Sequence, residues 1–169
     1  MEWKILLAIG GWVIAVVQFF LKYSETKDKN EAELLEKTLG YFERGTQARS
    51  IAISLIEGIW FKKKKNLDII LPVLISQTTF LLTEAIPSRQ EERNLIRLLH
   101  LIKKCLPYAI DIGNETAEIS EALLHAGHEQ NGMIQYATIR RWYINFTGDS
   151  ELFDAECEEI PNKSLERNI

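Results

Sequence analysis

Three histidines and two cysteines, His100, His125, His128, Cys105 and Cys157, carry most of the reactive chemistry available in 169 residues. His125 and His128 lie three apart, near Glu121 and Glu129. A metal centre would also need a third and a fourth ligand and supporting hydrogen bonds, and the pair lacks the four-residue spacing around a glutamate that marks a zinc helix. No metal and no cofactor is therefore expected. His100 sits inside Leu98-Leu99-His100-Leu101 and reads as a half-buried core histidine. Cys105 stands between Lys104 and Leu106. Cationic neighbours activate a thiol and tight packing silences one, and the packed state is the commoner of the two. No serine lies in a nucleophile-elbow context, no glycine-rich phosphate loop is present, and Gly10-Gly11 falls inside an apolar run. No catalytic residue is assigned.

One arginine pattern bears closer reading. Helical nucleases of the HEPN class carry an arginine, four intervening residues and a histidine on one helix. The arginine holds phosphate and the histidine moves protons during RNA cleavage. The positions five before the three histidines here are Leu95, Ser120 and Leu123. The nearest approximation is Arg140-Arg141-Trp142-Tyr143-Ile144-Asn145, with asparagine in the histidine's place. An amide cannot transfer a proton at neutral pH, so Arg140 and Asn145 would form a degenerate site. The double arginine either binds a partner's carboxylate or backbone, or pairs with glutamates on neighbouring helices.

These residues need a scaffold, and the chain supplies helices. Ile5 to Leu21, ILLAIGGWVIAVVQFFL, contains no charge and only Gln18 as a strongly polar residue. At about 1.5 Å per residue, Trp3 to Tyr23 extends roughly 30 Å, which predicts an uncleaved transmembrane helix with Lys4 and Lys22 snorkelling at its ends. Lys4, Ala8, Gly11, Ala15, Gln18 and Lys22 recur at alternating spacings of four and three, a stripe suited to self-association or to lining a pore. Lysines after the span, among them Lys22, Lys27 and Lys29, outnumber the single Lys4 before it and place the carboxy-terminal domain in the cytoplasm.

The remaining residues, with 46% hydrophobic and 26% charged in the whole chain, are enough for one core. A net charge of −4 argues against a protein whose main task is coating nucleic acid. Helices are expected over Thr46 to about Lys62, Asp68 to Ile86, Ser88 to about Pro107, a stretch capped by Asn114 or Thr116, and Met133 to Phe146. The run Lys62 to Lys65 reads either as a solvated helix end or as a contact for anionic lipid or RNA. No alternating strand pattern appears. The expected fold is all-α: a transmembrane helix over 1–23, a helical bundle over 24–160 and a flexible tail over 161–169.

One apolar span, a helical domain and a degenerate Arg140…Asn145 motif resemble, in architecture, the small membrane accessory proteins of type VI-B CRISPR systems. The resemblance implies a HEPN-like bundle beneath a membrane helix, assembled with itself into a ring-shaped homo-oligomer, octameric or of another order, that forms a pore. It further implies depolarisation of a bacterial inner membrane in antiphage defence, with the lipid bilayer and an RNA-guided effector or RNA as partners. The missing histidine departs from the nuclease pattern. The alternatives are a membrane-tethered helical adaptor and a ribonuclease with a degenerate site.

Overall fold

In the computed structural model the backbone is described for residues 2–130 and 132–157, with backbone only for 2–17, 19, 20 and 23. The chain divides into two units, one ending at Gly40 and one beginning at Tyr41.

The first unit is one helix, α1 (Glu2–Gly40). Its apolar run ends at Leu21, but the helix continues without a break through Lys22, Glu25, Lys27, Asp28 and Lys29. Charges packed this closely make its second half a solvent helix. Among the described residues no helix is long and apolar enough to cross a membrane. The expected transmembrane helix over 1–23 is therefore corrected, and with it the single-pass placement in a bacterial inner membrane with a cytoplasmic bundle. Gln18 and Lys22 of the expected stripe are exposed. The side chains of Lys4, Ala8, Gly11 and Ala15 lie outside the described residues, as does the tail over 161–169.

The second unit is all-α, as its sequence pattern predicts. It comprises α2 (Thr46–Leu55), which runs on through a π-helical turn (Ile56–Phe61), then α3 (Leu67–Thr83), α4 (Arg89–Cys105), α5 (Ile112–Glu129), α6 (Tyr136–Thr147) and α7 (Glu151–Glu156). α3 is the central element and packs against α4 and α5. Leu67, Ile70, Leu71, Leu74, Ile75, Thr78, Leu81 and Leu82 are buried at the three- and four-residue spacings of a helix face. The polar centre of this apolar segment is accommodated by local hydrogen bonding: the buried Thr78 hydroxyl donates to the Leu74 carbonyl at 2.8 Å. Pro72 falls inside α3 rather than in its first turn and lies on the exposed side.

Helix ends follow sequence chemistry. Ser88 caps α4 by accepting from the Glu91 amide at 3.2 Å, with Glu91 and Glu92 in the first turn and Lys103 and Lys104 in the last. Asp111 caps α5 through the Asn114 amide at 3.0 Å, three residues before Asn114 and five before Thr116, the two caps open from sequence. The Lys62–Lys65 run terminates the π-helical turn: Lys64 and Asn66 adopt left-handed φ of 50° and 58°, and the Lys64 ammonium rests 4.6 Å above the Tyr108 ring.

Candidate functional site

The two residues of the degenerate nuclease pattern are held apart. Five residues along a helix turn a side chain by about 140° relative to its starting direction. Arg140 accordingly reaches α7, where its Nε and Nη2 donate to the two carboxylate oxygens of Asp154, each at 2.6 Å. That bidentate pair holds the Asp154 carboxyl below its ordinary range. Asn145 points to α4 instead, where its Oδ1 accepts from the Lys103 ammonium at 2.9 Å. The pairing of Arg140 with an acidic neighbour was one of the two readings open from sequence, although the partner is an aspartate.

The cysteines are packed rather than activated. Cys105 has no exposed surface, and burial pushes its thiol up to about 11 against the opposing pull of Lys104. Cys157 is buried too; burial raises its thiol, followed by the charges of Glu156 and Asp154. His125 and His128 are both exposed on α5. Among the described residues no group of three or more histidine, cysteine, aspartate and glutamate side chains could hold a metal ion.

Sequence reasoning missed what lies around His100. This residue is exposed, not half-buried, and its ring meets Trp142 of α6 edge-to-face, with centroids 4.7 Å apart. On α4, His100, Lys103 and Lys104 fall at i, i+3 and i+4 and share a face; on α6, Arg141 and Asn145 do the same at i and i+4. The two faces enclose a groove of about 590 Å³, lined by Ile96, His100, Lys103, Lys104, Arg141, Trp142 and Asn145. Three cations stand in it and no carboxylate does. Among the described residues neither Lys104 nor Arg141 has an acidic partner, and Lys103 is held by an uncharged amide. Trp142 is only 5% exposed, and its indole N–H is buried without an acceptor. The signal was present in sequence as a same-face trio on α4 and a same-face pair on α6. Lys103 and Lys104, however, were accounted for as dipole partners of α4, and Arg140 rather than Arg141 drew attention.

A second groove, about 890 Å³, lies between α3 and α5. Its walls carry Ile75, Phe80 and Ala122 beside Glu84, Glu118, Glu121 and His125. The two grooves are opposite in charge, so the net −4 of the whole chain conceals a locally basic surface on α4 and α6.

Buried polar chemistry of a structural kind joins α2, α3 and α4. Arg49 pairs with Glu91, whose carboxylate also accepts from the Thr46 hydroxyl at 2.7 Å and the Asn94 amide at 3.1 Å. Arg49 Nε donates to Gln77 on α3 at 3.3 Å. Compared with known proteins, the chain matches no family model, no curated protein and no solved structure.

Proposed function

We propose that this chain is a helical adaptor, a binding module that acts by docking an anionic partner in the groove between α4 and α6. The observation that carries this reading is the uncompensated gathering of Lys103, Lys104 and Arg141 around one concave surface free of carboxylates. Cations left unpaired by the fold keep their full attraction for a ligand's negative charge and steer its approach. Catalysis finds less support. Arg140 is engaged by Asp154, and burial raises both thiols above their ordinary value. The pore reading has no span to rest on among the described residues.

Retention of the full chain on an immobilised polyanion such as heparin tests the proposal, run beside an RNA-cleavage assay. Wild type should be retained at low salt, and Lys104→Glu and Arg141→Glu should elute markedly earlier, with RNA left intact throughout. RNA cleavage abolished by His100→Ala would replace the adaptor with an enzyme. Equal retention of wild type and both variants would show that the groove is not the docking surface.

A further inference from the structure

Resting on the docking role of the α4–α6 groove, we infer that its ligand is the phosphate of a nucleotide, held by Lys103, Lys104 and Arg141 with the base beside the exposed His100 ring. Several features separate a phosphate from a plain carboxylate. A single carboxylate is matched by one cation, whereas a phosphate monoester carries about −1.5 to −2 charge at pH 7 and three acceptor oxygens. Three cations around one concavity suit the larger charge. Arg141 offers a planar fork for two of the oxygens, and the lysines act as point charges. Lys103 is presented by its 2.9 Å hydrogen bond to Asn145, which fixes the ammonium without neutralising it. A carboxamide suits that position better than a carboxylate would.

The remainder of the groove suits the body of a nucleotide. Its volume of about 590 Å³ is that of a small-molecule site. Ile96 supplies apolar wall, and His100, braced by Trp142, supplies an aromatic surface of the kind on which bases stack. The indole N–H of Trp142, buried in the groove wall without an acceptor, is a reporter of changes in that wall rather than a contact to the ligand. A free mononucleotide carries such a monoester, whereas a single strand of RNA presents phosphodiesters of one negative charge each, of which neighbouring ones would share the three cations.

Equilibrium dialysis of the full chain against adenosine monophosphate, adenosine and a short single-stranded oligoribonucleotide tests the inference. At least one phosphate-bearing probe should bind and adenosine should not. Arg141→Glu, Lys104→Glu and Asn145→Asp should each weaken binding at least tenfold, and Lys37→Glu, an exposed lysine that does not line the groove, should leave it unchanged. In an NMR spectrum of the four tryptophan indole N–H groups, the signal lost in Trp142→Phe should be the one that moves most on titration. Tighter binding of the oligonucleotide by tenfold or more identifies a strand as the source; comparable affinity identifies the mononucleotide. The inference is overturned if neither phosphate probe binds, if adenosine binds as well as its monophosphate, or if the charge reversals change nothing. It is also overturned if a polyglutamate peptide displaces the nucleotide probe with equal affinity. Heparin retention that survives any of these results leaves the docking role standing without the nucleotide.

Discussion

Arg49 of α2 and Glu91 of α4 meet inside the bundle, 5% and 7% exposed, as an ion pair whose hydrogen bonds also engage Thr46, Gln77 and Asn94. Burial alone would raise the Glu91 carboxyl. The hydrogen bonds from Thr46, Arg49 and Asn94 and the charge of Arg49 outweigh it and hold the group below its ordinary value. A carboxyl lowered in the folded state contributes stability above its unfolded-state value, and that stability is lost as pH falls through the folded-state value. Acid titration of the folded chain should therefore show a loss of stability that begins as pH falls past the ordinary carboxylate value and continues down through the lowered folded-state value, and Glu91→Gln should flatten it. Removing one partner is costlier than removing both. Arg49→Ala strands a buried carboxylate and should cost about 3–5 kcal/mol in urea denaturation, and Arg49→Met/Glu91→Leu should recover much of it.

Gly127 sits where α5 meets the carboxy-terminal segment. A methyl group there would stand 2.8 Å from Cys157 Sγ and 2.9 Å from Phe153 Cζ, and Phe153 is fully buried. Gly127→Ala should destabilise by about 1–3 kcal/mol through this overpacking, despite alanine's better helix propensity. Gly58, with nothing within 4 Å of a Cβ, is the matched control: Gly58→Ala should be neutral or stabilising by up to about 1 kcal/mol. Paired denaturation midpoints decide it. A neutral Gly127→Ala would mean that Phe153 can move aside.

Local chemistry in this sequence was readable and tertiary chemistry was not. Ser88 with Glu91 and Glu92, followed by lysines in the last turn, announced both ends of α4, because capping and dipole effects act within one turn. The apolar circumference of α3 announced a central helix, since such a segment has nowhere else to go. The run from Ile5 to Leu21 reads as a span by its hydropathy, yet among the described residues no helix is long and apolar enough to cross a membrane. Arg49 with Glu91, 42 residues apart, left no trace in spacing, and neither did the meeting of Lys103 with Asn145 across 42 residues. Both depend on which helices become neighbours.

The thiols offer a reading of how closed the bundle is. Cys105 and Cys157 are free, buried and held above the ordinary thiol range by that burial. A thiolate is the reacting species, so both should resist iodoacetamide at neutral pH in the folded chain and react rapidly once it is unfolded in urea. Cys157 is expected to open first on partial denaturation, because it belongs to the short carboxy-terminal segment while Cys105 ends a central helix. Mass spectrometry of the labelled peptides distinguishes the two. Fast native labelling of Cys105 would contradict its burial and reopen the case for an activated thiol.

Spacing alone does not make Arg140 and position 145 a nuclease pair, and a single substitution tests that. Asn145→His restores an arginine and a histidine five residues apart. The two side chains would still leave α6 about 140° apart, with Arg140 bound through both nitrogens to Asp154. General acid–base catalysis requires the proton-transferring group and the phosphate-holding group within reach of one substrate. Asn145→His should therefore yield no RNA cleavage in a gel assay, and Asn145→His/Asp154→Ala, which frees Arg140 without turning it, should yield none either. The same substitution removes the amide oxygen that accepts from Lys103, so weaker anion binding should be its measurable effect. Cleavage by Asn145→His alone would mean that the phosphate is held by the neighbouring Arg141, and that the groove lacks only a proton carrier to become catalytic.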